Sequence, residues 1–237
     1  MKKVFVKTQN VKDFITLTGS LQNKPEGISR MALVYGEPGL GKSRTALWWA
    51  IQNDAVYLRS SNMMTGRWFL KDLAEELGEY PNYWTADVFR QCENSLLKNP
   101  RTLIIDEIDY LLGDKNSIET IRDLHDKTNA PIILVGMPMS EKRLVKYRPL
   151  YDRLSEIIRF NSFTYSDIKE IINQLSEIPF NTESIEMVHK QSCRFRQITR
   201  IISKCEIIAK NNQISEITEN ILMEIVKNDK RENIKAG

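Results

Sequence analysis

The sequence predicts an α/β fold in which a parallel central sheet is flanked by helices and followed by a small all-helical domain. Three observations carry that prediction. Short apolar runs alternate with amphipathic helical stretches up to about residue 161, the pattern of strand–helix–strand units. The runs are continuously apolar, as in Pro131-Ile132-Ile133-Leu134-Val135-Gly136, which suits strands covered on both faces. From Ser162 only helical stretches remain.

Taken in order, residues 1–30 form an N-terminal segment with a helix from Asn10 to Leu21, broken by Pro25, Gly27 and Ser29. Met31-Ala32-Leu33-Val34-Tyr35 is the first core strand, and a helix runs from Lys42 to about Asn53. Its adjacent Trp48 and Trp49 cannot share one face, so one of them faces a neighbouring element or subunit unless both pack in the core. Ala55–Arg59 is the second strand. Phe69, Leu70, Leu73 and Leu77 mark the apolar face of the next helix, from Arg67 to Leu77, which Gly78 ends. Thr85 caps a further helix to Lys98, stopped by Asn99-Pro100. Thr102–Glu107 is a buried strand, Ile118–Lys127 a helix, Pro131–Gly136 a strand, Glu141–Tyr147 a short basic helix and Glu156–Phe160 a fifth strand. Helices follow from Thr164 to Leu175, Thr182 to Gln191, Arg196 to Lys210 and Ser215 to Val226. The division is thus 1–30, an α/β domain over 31–161, a helical lid over 162–227 and a polar tail over 228–237. In a sheet of this kind ligand belongs at the carboxyl ends of the strands.

Composition narrows the class. Hydrophobic residues make up 41% and charged residues 27% of the 237, as in ordinary globular proteins. No apolar run approaches the ~20 residues that cross a bilayer. Met1–Lys7 has no apolar core behind its lysines, so no signal peptide is expected. Cys92, Cys193 and Cys205 have no metal-ligand spacing and are odd in number, which points to a reduced, cytoplasmic setting without membrane partners. His125 and His189 are isolated. The net charge is +3, but from Lys190 onward ten Lys/Arg stand against six Asp/Glu. That concentration is compatible with a nucleic-acid surface and equally with a solvated helix face.

The most informative stretch is Gly36-Glu37-Pro38-Gly39-Leu40-Gly41-Lys42-Ser43, between the first strand and a helix that begins with Arg44 close behind. Strand, glycine-rich turn and helix start are the context a nucleoside-triphosphate loop requires. The glycines let successive N–H groups turn inward on phosphate oxygens. Lys42 is placed to reach the β- and γ-phosphates, Ser43 to hold Mg²⁺, and the helix N-terminus adds partial positive charge. Asp106 and Glu107 end the third strand. With a phosphate loop upstream, Asp106 serves the Mg²⁺ shell and Glu107 orients or deprotonates the water that attacks the γ-phosphate.

These motifs, their order and the helical appendage resemble the AAA+ ATPases over roughly residues 30–210. Within them the chain looks like the compact initiator-related group that includes the transposition target-selection ATPases, such as the phage Mu B protein and TnsC. The phosphate loop and acidic strand are specific for an ATPase. The transposition assignment rests on chain size, the plain helical C-terminal part and the lack of another enzymatic domain. The resemblance implies a trans-acting arginine before the fifth strand, best matched by Arg153, with Arg148 as the other choice and a surface pair with Asp152 as the plain alternative. It also implies a sensor arginine in the helical part, best matched by Arg196, with Arg194 as the other choice. One departure is Met137, in Gly136-Met137-Pro138-Met139, where a polar residue is usual. A thioether does not orient water by hydrogen bonding, so hydrolysis is expected to be slow or partner-stimulated.

The resulting expectation is an ATP- and Mg²⁺-dependent ATPase that oligomerises on double-stranded DNA, as filament or ring, and delivers target DNA to a transposase. Hydrolysis then drives disassembly. Arg59, Thr65, Arg67 and Lys71 are the expected DNA contacts, through phosphates rather than base edges. The alternative is a replication helicase loader or initiator, and a defence or signalling ATPase ranks behind both.

Overall fold

A computed structural model of the chain describes residues 1–25, 27–191 and 194–224. Cys193, the last residues of the expected lid and the polar tail over 228–237 lie outside the described residues. The chain divides into two compact units. One comprises Asp13–Glu37 and Gly41–Phe160; the other comprises Met1–Lys12, Pro38–Leu40 and the residues from Asn161 on.

The first unit is the α/β layer. Its five strands are β1 (Met31–Gly36), β2 (Val56–Arg59), β3 (Leu103–Asp106), β4 (Ile132–Gly136) and β5 (Leu154–Phe160). They lie in the order β2-β3-β4-β1-β5, and every pairing is parallel. Register aligns Leu33 with Leu134 and Ile157, and Ile105 with Leu58 and Leu134. All residues of β3 and β4 are buried, as their unbroken apolar sequence requires in a sheet covered on both faces. β5 is an edge and mostly half-buried, which accommodates Glu156 and Arg159.

Between the strands run α2 (Lys42–Gln52), α3 (Gly66–Glu76), α4 (Thr85–Lys98), a 3₁₀ turn over Ile108–Gly113, α5 (Lys115–Thr128), α6 (Ser140–Leu144) and α7 (Arg148–Tyr151). α3 buries Phe69, Leu70, Leu73 and Ala74, and α5 buries Ile118, Ile121 and Leu124, each at helical spacing. Trp49 is buried edge-on against Phe14, 6.2 Å between ring centres, while Trp48 is only half-buried. Phe14 lies on α1 (Gln9–Gln22), ahead of β1.

Several local expectations are corrected. Thr85 is the first residue of α4, and the capping position is Trp84, whose side chain makes no capping bond. The basic stretch Glu141–Tyr147 is not one helix, because α6 ends at Leu144 and a second turn starts at Arg148 before Pro149. β5 begins two residues earlier than Glu156, since Met31 already pairs with Leu154. The 3₁₀ turn after β3 was not expected from its short apolar pattern.

The second unit contains α8 (Tyr165–Leu175), α9 (Thr182–Gln191) and α10 (Phe195–Asn211), with helical turns over residues 219–224. Thr164 and Asp167 form a reciprocal capping box at the start of α8. α10 buries Ile198, Ile202, Cys205 and Ala209. The opening residues pack in this unit: Gln9 N–H donates to Asp167 Oδ1 at 2.8 Å, and the Asn10 side chain bonds both ways with the Asn161 backbone. Among the described residues no helix is long and apolar enough to cross a membrane.

Gly36 closes β1 against β5, where a Cβ would lie 2.6 Å from the Phe160 carbonyl oxygen. A backbone atom held in a strand pair cannot give way cheaply. Gly36→Ala is therefore expected to cost about 1–3 kcal/mol of stability, seen as a lower urea midpoint with unchanged slope.

Candidate functional site

The carboxyl ends of β1 and β3 carry the motif residues. Beyond Gly36 the loop turns through Gly39 (φ +85°) and Gly41 (φ +90°), left-handed conformations that glycine adopts without strain. Gly41 is the capping residue of α2, and no side chain caps that helix. The first turn of α2 also lacks an acidic residue.

Lys42 is buried, with only 9% of its surface exposed. Its ammonium donates to the carbonyl oxygens of Gly36 at 2.5 Å and Glu37 at 2.9 Å. Burial pushes its pKa below the ordinary lysine value, while Asp106, Asp109 and Glu37 pull the other way. A buried cation next to a helix start without a side-chain cap, in a loop with two left-handed glycines, fits a polyphosphate.

Asp106 is buried at the end of β3. Its Oδ2 accepts from Tyr57 O–H at 2.6 Å, and its Oδ1 accepts from Glu107 N–H at 2.9 Å. Burial and this bond together raise the Tyr57 pKa. Among the described residues no cluster of three or more His, Cys, Asp or Glu could hold a metal by itself. The donor set of Asp106 and the Ser43 hydroxyl suits Mg²⁺, which takes few protein ligands and completes its shell with water and substrate phosphates.

Glu107 has a left-handed backbone (φ 55°, ψ 42°), unusual for a non-glycine residue and a form of strain found at functional sites. There the chain leaves the strand for the 3₁₀ turn. The carboxylate is held by Arg59 at the end of β2: Nη2 donates to Oε1 at 2.5 Å and Nε at 3.2 Å. The carboxylate in turn raises the Arg59 pKa.

Two members of the site escaped sequence reasoning. Tyr57 is one. Asp109 is the other: its Oδ2 accepts from Met137 N–H at 2.7 Å and Ser140 Oγ at 2.8 Å, fixing the segment after β4 beside the acidic strand. The spacing Asp106-Glu107-Ile108-Asp109 was the available signal. The exposed Met137 thus enters the network through its backbone N–H.

The other expected residues are more dispersed. Thr65 caps α3, its Oγ1 accepting from Trp68 N–H at 3.3 Å. Arg67 donates to the Tyr83 carbonyl at 2.8 Å, and Lys71 sits one turn further along α3. Arg44 is exposed in the first turn of α2. Arg153 pairs with Asp126, at 3.0 and 3.1 Å, and not with Asp152. It precedes β5, whose start pairs with Met31, so it stands at the amino edge of the sheet. The six residues of β1 separate that edge from the phosphate loop by roughly 20 Å. Arg148 is exposed at the start of α7. In the helical unit Arg194 stands at the capping position of α10 without a capping bond from its side chain, and Arg196 is exposed in the first turn. Gly39 O accepts from Phe195 N–H at 2.7 Å, and Arg194 Cβ lies 3.4 Å from the position a Gly39 Cβ would take.

Residues 28–144 match the protein-family model of the AAA domain. A potential ATP-binding protein of Staphylococcus aureus is 26% identical over 130 residues, covering 51% of this chain and 47% of that one. Replication factor C subunit 1 of Saccharomyces cerevisiae is 26% identical over 200 residues, covering 67% and 22% respectively. The chain thus spans about half the length of the first and about a fifth of the second. Three solved structures share the fold. The Aeropyrum pernix ORC1 protein in complex with DNA has TM-score 0.63 at 13% identity, over 97% of this chain and 67% of that one. The Thermotoga maritima RuvB Holliday junction branch migration motor has TM-score 0.63 at 20% identity, over 94% and 70%. Domain III of the Thermotoga maritima replication initiation protein DnaA has TM-score 0.62 at 16% identity, over 94% of each chain.

Proposed function

We propose that this chain, with an AAA domain over residues 28–144, is an ATPase that works as a nucleotide-controlled switch on DNA. The observation that carries the reading is the convergence of Lys42, Asp106 and Glu107 at one edge of the sheet, with Glu107 tied to the exposed Arg59. The loop N–H groups of Gly36–Ser43 and Lys42 bind the polyphosphate, with Glu37, Pro38 and Leu40 as the turn that shapes them. Ser43 and Asp106 hold Mg²⁺, which when bound neutralises charge on the phosphates. Glu107 takes the proton of the attacking water as its oxygen bonds to the γ-phosphorus and the bridging P–O bond to ADP breaks.

Arg153 cannot reach the loop of its own chain across the sheet, so any role at a γ-phosphate is played in a neighbouring copy. Arg148 stands in the same region and is the other choice. Occupancy by ATP then favours assembly, and hydrolysis reverses it. Arg196, or Arg194, senses the nucleotide from the helical unit. Arg59, Thr65, Arg67 and Lys71 contact DNA phosphates, and Arg59 links that surface to the base Glu107.

The partner follows from which machinery the switch serves. Replication is favoured by relatives described as a replication factor subunit and a replication initiation protein. The reading as loader or initiator therefore stands first. Target selection for a transposase is the second reading, supported by the make-up of the chain, one α/β unit and one helical unit.

Filter retention of duplex DNA with Mg²⁺ and a non-hydrolysable ATP analogue tests the switch. Retention is expected with the analogue and should fall sharply without nucleotide or in high salt. Equal, negligible retention in all conditions would remove the DNA assignment. Co-purification with a hexameric helicase or with a transposase separates the two partner readings.

A further inference from the structure

The segment between α3 and α4, Gly78-Glu79-Tyr80-Pro81-Asn82-Tyr83-Trp84, places three aromatic rings in solvent: Tyr80 is 96%, Tyr83 75% and Trp84 68% exposed. Exposed rings normally accompany a loose loop, but this one is fastened. The Gln91 side chain donates to Tyr80 O at 2.9 Å and accepts from Asn82 N–H at 3.0 Å. Arg67 reaches over from α3 to the Tyr83 carbonyl, with its guanidinium carbon 5.7 Å from the Tyr83 ring centre. The Tyr83 and Trp84 rings stand perpendicular, 5.0 Å between centres. A backbone fastened in this way presents the Tyr83 and Trp84 rings at a lowered ordering cost.

Beside them lies a cavity of about 500 Å³, lined by Thr65, Arg67, Leu70, Thr85, Asn116 and Thr120, with Asp114 at its wall. Arg67 belongs to both features, and Thr85 follows Trp84 directly. The lining combines an apolar floor with hydroxyl and amide groups that can donate or accept. The Asp114 carboxylate accepts from Gly66 N–H, Asn116 N–H and Ser117 Oγ, which hold it against the wall.

From the fastened rings, the shared arginine and the adjoining polar cavity we infer that this face binds unpaired nucleotides of single-stranded nucleic acid. Bases stack on Tyr83 and Trp84, one base enters the cavity, and Arg67 with Lys71 answers the phosphates. Stacking tolerates any base, because every base has a π-face. A purely apolar partner surface fits less well, since Glu79, Asn82 and Arg67 interrupt the rings. The inference rests on the DNA-binding reading above and adds the strandedness of the ligand.

The test uses the full chain with Mg²⁺ and the ATP analogue. Anisotropy is measured with a fluorescein-labelled oligothymidylate and with a duplex of equal length. Tyr83→Ala and Trp84→Ala are each expected to weaken oligothymidylate binding roughly tenfold or more. Trp84→Phe should restore most of it, and duplex and nucleotide binding should change less than about twofold. Because these rings are solvated, thermal midpoints should stay near that of the parent; Tyr83→Ser and Trp84→Ser supply further variants if either fails to fold. Oligothymidylate binding that ignores the ring substitutions overturns the inference, as does its absence in the parent while duplex is retained, which leaves the DNA switch intact. Loss of a protein partner in the ring variants with unchanged oligothymidylate binding assigns the face to protein and also overturns it. If neither DNA binds, both readings fall.

Discussion

Lys42→Ala is expected to abolish Mg·ATP binding and, with it, any nucleotide-dependent assembly. In the folded chain this ammonium is buried, held by two loop carbonyls and drawn toward Asp106 and Asp109. Its partners are thus already arranged around a cation, which the proposed function sets against the polyphosphate. Removing one member of a buried charge pair costs about 2–5 kcal/mol, or some 30- to several-thousand-fold in Kd at about 1.4 kcal/mol per tenfold. Titration calorimetry reads the result. Heats of binding like those of the parent would place the triphosphate elsewhere. The substitution also relieves a desolvated charge, so the fold should survive it, and circular dichroism checks that the loss is one of binding.

Glu107→Gln is expected to keep nucleotide binding while lowering turnover by about 10²–10⁴-fold, the usual contribution of a positioned general base. The amide retains the shape of the side chain and can still accept from Arg59, but it cannot take a proton. The bound form should therefore accumulate, and sedimentation with ATP alone should match that of the parent with a non-hydrolysable analogue. Phosphate release at the parental rate would move the role of base to another residue.

The elements with a one-dimensional cause were legible in the sequence. Continuous apolar runs such as Leu103–Ile105 and Ile132–Val135 are strands because both faces of the sheet are covered. The glycine-rich turn between β1 and α2 announces itself because left-handed backbone needs glycine at fixed positions. The acidic pair Asp106-Glu107 is legible for a related reason, since a buried strand ends in charge only where the chain reaches the rim of the sheet. What escaped depends on contacts that spacing does not encode. Asp109 meets Met137 and Ser140 across 28 and 31 residues, and Tyr57 meets Asp106 across 49. Arg153 finds Asp126, on α5, instead of its neighbour Asp152 because that helix passes beside the start of β5. The early start of β5 was hidden because Leu154 and Ser155 follow a helical turn without any breaker between them.

The make-up of the second unit has a consequence for how the chain is born. Gln9 waits for Asp167, 158 residues downstream, and Asn10 for Asn161, 151 downstream. On a ribosome residues 1–12 emerge ahead of the sheet, yet their bonding partners arrive only after the whole of residues 13–160 has been translated. The nearly contiguous sheet can consolidate in that interval, whereas closing so long a span is entropically slow. The helical body is thus expected to acquire its native contacts after the α/β layer has formed its own.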